Sequence, residues 1–288
     1  MVSRDTQGLN SADLDDRSTG RIGRALRFVR QRGVLEPIRL VRKYGVAQSG
    51  RFVARNIRHI VADRLARKWD RDNGVDTAGS IRLDTLDVVG PYRDQGNECV
   101  CTSPKSFSFI MKSLPLDLGG YTFIDIGSGK SRTLLLASHY PFAAIVGVEF
   151  AKELVEIARR NIAKYKSAGQ KCRAITVIEA DATTYEFPES PLLVYFYNPF
   201  SKDVFDVVMS NLASSLEQRR RGCFVVYGSS SHSAIDWARP AIREKGIFEE
   251  LAVPAMPHFL DAVRTIDYAV FRYQAPSEGS GHKSDDAH

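Results

Sequence analysis

Apolar positions in the second half of this chain follow two alternating rhythms. Short runs rich in β-branched and aromatic residues predict strands at Tyr121–Ile126, Ala144–Glu149, Ala174–Glu179, Leu192–Tyr197 and Cys223–Tyr227. Helical spacing fills the intervals. Ser131–His139 is built on Leu134, Leu135 and Leu136, and Lys152–Lys166 turns Leu154, Ile157, Ala158, Ile162 and Tyr165 to one side. Ser201 stands at the N-cap of a helix reaching about Glu217 through Val204, Phe205, Val208, Leu212 and Leu216, and another helix is predicted around Ala234–Lys245. Strands alternating with crossover helices predict a parallel sheet with right-handed connections. Phe248–Val253 and Tyr268–Tyr273 are separated by a loop rather than a helix, which predicts a closing antiparallel pair.

The first quarter of the chain reads differently. Arg21–Arg32 places Ile22, Leu26 and Val29 on one stripe, Gly33 and Pro37 interrupt it, and Arg51–Trp69 carries Val53, Ile57, Ile60, Val61, Leu65 and Trp69 at helical spacing. Asn73-Gly74 and Gly79-Ser80 mark turns in the connector that follows. Residues 1–18 and the Pro/Gly/Ser/Asp-rich residues 275–288 predict disorder. The predicted organisation is therefore a basic helical extension with its connector over residues 19–84 and an α/β domain over residues 85–274.

Charge sharpens that division. The net +6 is unevenly held: residues 17–71 contain sixteen Arg and Lys against Glu36, Asp63 and Asp70, while residues 1–16 are net acidic. A basic segment of this kind predicts contact with an anionic surface or polyanion across residues 19–71, a solvated basic face being the plain alternative. Aromatics for stacking on single strands are confined there to Phe28, Tyr44, Phe52 and Trp69. No apolar run approaches the roughly eighteen residues a spanning helix needs, and Asp5, Asp13, Asp15 and Asp16 fit neither a secretory signal nor a mitochondrial presequence. Cys99-x-Cys101 lacks a second pair at zinc spacing, so no metal site is expected, and Cys172 and Cys223 read as small core residues. The expected location is cytoplasmic, with peripheral membrane association left open by the basic segment.

The densest chemistry lies in Phe123-Ile124-Asp125-Ile126-Gly127-Ser128-Gly129-Lys130, where an acid ends a strand and two glycines turn the chain into a helix. About twenty residues on, the next strand ends in Glu149. This is how an open α/β sheet holds a nucleoside-bearing cofactor at its carboxyl edge. A triphosphate loop fits poorly: Gly129-Lys130-Ser131 matches its end, but Ile124 stands where its first glycine belongs. A dinucleotide turn would want a third glycine where Arg132 stands, and Asp125 would crowd a pyrophosphate. S-adenosylmethionine carries no phosphate and brings an ammonium and a sulfonium, so a carboxylate beside the turn attracts it. Glu149 can accept from ribose hydroxyls, and Asp181 in Glu179-Ala180-Asp181-Ala182 can accept from an adenine amino group.

Phe123–Gly129, Gly147-Val148-Glu149, Glu179-Ala180-Asp181-Ala182 and Tyr197-Asn198-Pro199-Phe200 together resemble the successive motifs of class I S-adenosylmethionine-dependent methyltransferases, over roughly residues 85–273. The resemblance implies a doubly wound, mostly parallel seven-stranded sheet with an antiparallel last strand. It also implies a cofactor site at Asp125, Gly127, Ser128, Gly129, Glu149, Asp181 and Ala182. The chain departs from the family pattern at Ser131, where many members have the third glycine of D-x-G-x-G-x-G.

Asn198-Pro199-Phe200 is similar to the [D/N]-P-P-[Y/F] element of amino-group methyltransferases, shortened by one proline. That similarity implies that Asn198 orients the methyl acceptor, with Pro199, Phe200 and Tyr92 beside it; the acceptor would be a nitrogen, in a protein lysine or a small amine, and less readily an oxygen. The partial similarity to seven-strand protein lysine methyltransferases rests on the same Asp-x-Gly-Ser-Gly opening. The plain alternative for Asn198 is a Pro-assisted strand exit with Phe200 in the core. His232 and His258 stand in late loops as candidate bases or surface residues, and Tyr195 and Tyr197 fit either a cavity wall or a core face. Cys99–Lys105 is placed to form a lid, and Lys130 reads as a surface residue at a helix start. The competing function is a methyltransferase-like scaffold that binds nucleic acid or anionic membrane through its basic helices.

Overall fold

The computed structural model describes residues 60–79, 81, 86–92, 95–97, 101–115, 117–230, 232–257 and 266–275. The predicted helix at 21–32, the start of the one at 51–69, most of the basic segment, Cys99, His258, the disorder expected at 1–18 and all but the first residue of the predicted tail lie outside them. Residues 60–73 are helical. They lead to α1 (Pro104–Ser113), β1 (Thr122–Ile126), α2 (Arg132–Ala137), β2 (Ala144–Glu149), α3 (Lys152–Lys164) and β3 (Ile175–Glu179). A 3-10 turn (Ala182–Thr184), β4 (Leu192–Tyr197), α4 (Lys202–Gln218), β5 (Cys223–Ser229), α5 (His232–Arg243), β6 (Phe248–Glu250) and β7 (Asp267–Tyr273) complete the order.

The strands make one seven-stranded sheet in the order β3-β2-β1-β4-β5-β7-β6. Pairings among β1 to β5 are parallel, and β7 runs antiparallel to both β5 and β6. The doubly wound, mostly parallel sheet with an antiparallel last strand is the predicted one. Its faces are set by strand alternation. Ile124 and Ile126 of β1 pack with Val194 and Phe196 of β4 against α4 and α5, while Phe123 and Tyr195 face the side where α1, α2 and α3 lie. Both faces are covered, so β1, β4 and β5 read as continuous apolar runs. Because β2 pairs on one side of β1 and β4 on the other, the chain reverses direction there and leaves a crevice at the strands' carboxyl ends.

Two expectations about helix surfaces change. Ser201 precedes α4 but makes no side-chain capping bond; its hydroxyl donates to the Gln95 side chain at 2.6 Å instead. In the helical residues 60–73, Val61 and Leu65 of the predicted apolar stripe are exposed, at 39% and 54%. Trp69 and Asp70 set the inward face: Trp69 stacks on Tyr165, and Arg132 lies over its ring at 4.6 Å.

Ser131, where the chain departs from the glycine pattern described above, sits at φ 69 before α2. That is the left-handed region, where a Cβ costs about 1–2 kcal/mol. Its hydroxyl is buried and has no hydrogen-bond partner among the described residues. Ser131→Gly should therefore raise stability by about 1 kcal/mol even after the larger entropy of the unfolded glycine. The readout is a higher urea midpoint at unchanged slope; an equal or lower midpoint would show that the backbone is unstrained there.

Candidate functional site

The crevice at the ends of β1, β2 and β4 gathers residues far apart in sequence. It is lined by the Gly127–Lys130 turn, by Asp125, Glu149, Asp181 and Ala182, by Asn198, Pro199 and Phe200, and by Tyr92. The predicted cofactor residues, with Asn198, Pro199, Phe200 and Tyr92, line one cavity.

The turn is held from below. The N–H groups of Gly127 and Ser128 donate to the Val148 carbonyl at 2.9 and 3.1 Å, and that of Gly129 donates to Glu149 Oε2 at 2.8 Å. Gly127 has φ 78, and a Cβ there would lie 2.5 Å from Pro199 Cβ, so the glycine is needed for conformation and for the approach of the β4 exit. The helix that follows the turn has only six residues.

Glu149 is buried and accepts from Gly129 and, at 3.0 Å, from the Ala151 N–H. Burial raises its pKa, opposed by the backbone N–H groups of Ala151, Gly129 and Phe150. Asp125 is 3% exposed. Burial pushes its carboxyl up to about 8; the Thr133 side chain lowers it and the nearby Glu149 charge raises it further. The site thus holds two acids in a medium that disfavours their charge.

Asp181 caps the 3-10 turn, and both bonds, from Thr183 N and Oγ1 at 2.8 Å, fall on Oδ1. Its Oδ2 lies against Gly90, where φ is 84 and a Cβ would sit 2.1 Å away. Residues 86–92 and 95–97 cross the sheet's carboxyl edge. Val88 bridges to Ala151 and Gly96 bridges to Phe200.

Asn198 has φ 45, a left-handed conformation that asparagine tolerates. Its Oδ1 accepts from the Tyr227 hydroxyl at 3.2 Å. The Asn198 carbonyl accepts from Asn97 Nδ2 at 3.0 Å, and the Pro199 carbonyl from Asn97 N at 2.9 Å. Among the described residues each of these three oxygens has one protein donor and keeps a second lone pair. Phe200 is buried edge-to-face on Phe196 and also lines the crevice. Tyr92 and Tyr197 are half-buried on its wall, whereas Tyr195 is fully buried core. Cys101 and Thr102 of the predicted lid line the crevice, and Lys105 belongs to α1. His232 begins α5. Among the described residues no group of three or more His, Cys, Asp or Glu is placed to hold a metal, and no helix is long and apolar enough to cross a membrane.

Lys130 is not the surface residue predicted. It is buried, and its Nζ donates to the Ala78 carbonyl at 2.8 Å and Asp76 Oδ1 at 3.0 Å. Arg132 is buried too, donating to Asp70 at 2.7 Å, to Thr77 Oγ1 at 2.5 Å and to the Ala66 carbonyl at 3.0 Å. Asp70 in turn accepts from the Thr77 and Ala78 N–H groups. Asn161 of α3 ties both sides, bonding Asp76 through its N–H and carbonyl and also the Lys130 carbonyl. Residues 66–78 are thereby fastened over the glycine turn, across the sequence boundary expected at 84, and Thr77 joins the crevice wall. Sequence reasoning missed this clasp. Its one signal was a charged Arg132 inside an otherwise apolar helix, which required a buried anion somewhere.

No family model matches the chain, and no curated protein matches it. Among solved structures it is similar to precorrin-6y C5,15-methyltransferase from Geobacter metallireducens GS-15, at 15% identity and a TM-score of 0.45, covering 68% of this chain and 97% of that one. The ribosomal protein L11 methylase of Lactobacillus delbrueckii subsp. bulgaricus gives 10% identity and 0.42, covering 59% and 78%. The [4+2]-cyclase SpnF gives 12% and 0.44, covering 60% and 81%. At these TM-scores the likeness carries no weight for function.

Asp125 gives a pH signature. Its unfolded-state value is near 3.8 and its folded value about 8, so folding takes up a proton between those limits. Stability that is complete below the lower value is lost as pH rises toward the upper, at up to about 1.4 kcal/mol per unit. Asp125→Asn should flatten that part of the slope in urea unfolding of the ligand-free protein from pH 5 to 8. Parallel profiles for the two proteins would contradict the burial of an uncompensated acid.

Proposed function

We propose that this chain is a class I methyltransferase that uses S-adenosylmethionine. The observation that carries this reading is how the glycine turn spends its donors. All three N–H groups from Gly127 to Gly129 are bonded to Val148 and Glu149, so the turn offers no cradle for a phosphate, which such turns provide in nucleotide-binding folds. In its place stand two buried acids whose ionisation is disfavoured until a cation arrives. A cationic, phosphate-free nucleoside fits that set; a pyrophosphate does not.

When bound, S-adenosylmethionine supplies a methyl group on a sulfonium with a neutral thioether to leave. The protein's part is to bind, orient and keep water out. Glu149 retains lone-pair capacity for a ribose hydroxyl, and Asp181 Oδ2 with Ala182 borders the place for a base. Asp125 answers the positive charge. For the acceptor, the reading is a nitrogen, a protein lysine or a small amine. What supports it is the oxygen set of Asn198 and Pro199, fixed by Tyr227 and Asn97 so that the remaining lone pairs have set directions. Orientation of this kind is the larger share of what a protein adds to such a transfer.

Titration calorimetry tests both halves. At pH 7, S-adenosylmethionine should bind one to one and release a fraction of a proton, up to about one, as Asp125 ionises beside it; the heats in buffers of different ionisation enthalpy give the count. Glu149→Gln should weaken binding about tenfold or more, about 1.4 kcal/mol. Absence of binding, or affinity untouched by Glu149→Gln, would remove the site. For Asn198→Ala, cofactor affinity should stay the same while labelled methyl incorporation into amine-bearing acceptors falls about 100-fold. Equal incorporation would leave Asn198 as a structural turn.

A further inference from the structure

The helical residues 60–73 have a face that the fold does not use. Trp69, Asp70 and the Ala66 carbonyl turn inward to Tyr165 and Arg132. Away from them stand Val61, Arg64, Leu65, Lys68 and Arg71, all exposed. Helical spacing sets Val61 and Leu65 one turn apart, with Arg64, Lys68 and Arg71 in a row beside them. The acids nearby are already answered, Asp63 by Arg67 and Asp72 by Lys68. Arg64 and Arg71 make no ion pair among the described residues. The face therefore shows surplus positive charge and two aliphatic side chains together. A surface evolved only for water has use for the first and none for the second.

We propose that this face docks on an anionic lipid surface. Leu65 and Val61 enter the headgroup layer, while Arg64, Lys68 and Arg71 lay their stems beside them and meet lipid phosphates. Charge complementarity favours this partner, and so does the mixture, because a bilayer surface offers anions and apolar depth at one place. A nucleic acid would use the cations but gain nothing from Leu65. The aromatic available for stacking on bases, Trp69, is spent on Tyr165 and Arg132. A second copy of the chain would set the row of cations against itself in a two-fold contact. Two aliphatic side chains are also far short of the roughly 1,200 Å² that a stable interface buries. Because Asp70 fastens the helix to Arg132, which lines the crevice, lipid contact would hold the crevice at a set angle to the surface.

Vesicle sedimentation with the full chain tests the assignment. Vesicles of phosphatidylcholine with about 30% phosphatidylglycerol should bind the chain, and pure phosphatidylcholine should not. Arg64→Gln, Lys68→Gln and Arg71→Gln combined should weaken that binding about 100-fold, roughly fivefold for each cation. Leu65→Ser should weaken it about fivefold. Leu65→Trp should tighten it, and its emission should move to shorter wavelength on the anionic vesicles. That gain reports contact at residue 65 itself and cannot come from misfolding. Equal binding to neutral vesicles, undiminished binding in the triple variant or in Leu65→Ser, or an unshifted Leu65→Trp spectrum on bound protein would overturn the proposal. So would an oligonucleotide, or a second copy of the chain, whose binding the same substitutions abolish while vesicles stay unbound. None of the substituted residues lines the crevice, so these outcomes stand apart from the cofactor reading.

Discussion

The constraint on which the rest depends is the burial of Asp125 and Glu149 at the carboxyl edge of two adjacent parallel strands. A parallel sheet covered on both faces leaves its strand ends as the place where polar groups can gather. Burial makes both charges costly, the Glu149 charge adds to the cost at Asp125, and Asp125 meets it by holding its proton to about pH 8. Glu149 meets it by drawing in the backbone N–H groups of Gly129 and Ala151. That second solution shapes the turn. To reach Glu149 and the Val148 carbonyl, the chain must fold back under itself, and glycines at 127 and 129 allow it. A group left unfavourable in the free protein marks a place arranged for something else.

Charge of the opposite sign is supplied from outside the sheet. Lys130 and Arg132 would be as costly as the acids if unpaired, and the sheet offers no partners for them. Residues 66–78 do, and the demand for pairing docks the leading helix on α2 and α3 through Trp69, Asp70 and Asn161. The same demand decides which face of that helix turns inward. Val61 and Leu65 lose the contest to Trp69 and Asp70, since two aliphatic side chains left in water cost less than an unpaired buried arginine.

This explains what was legible in the sequence. Strands such as Leu192–Tyr197 declare themselves as unbroken apolar runs, because both faces are covered, and the amphipathic α3 declares itself by its helical period, because one face is. The order of acids and glycines, Asp125, Gly127, Gly129, Glu149 and Asp181, announces the carboxyl edge, because each residue type is forced by a local need. The clasp had no such signature. Asp70 and Asp76 are joined to Arg132 and Lys130 across more than fifty residues, by loop geometry with no repeat, and Asn73-Gly74 with Gly79-Ser80 looked like the punctuation of a connector. Nor does a sequence show that Asn198 adopts a left-handed conformation with its side-chain oxygen on Tyr227, since that bond depends on how β4 and β5 lie together.

The central claim is that the crevice selects a cationic nucleoside without phosphate. Competition binding measures it directly, with S-adenosylmethionine, adenosine triphosphate and nicotinamide adenine dinucleotide titrated against the same protein at neutral pH and moderate salt. The account predicts that the sulfonium nucleoside displaces a bound adenosine probe and that neither phosphorylated competitor does so at comparable concentration. Displacement by either phosphate-bearing nucleotide, with S-adenosylmethionine inert, would contradict it.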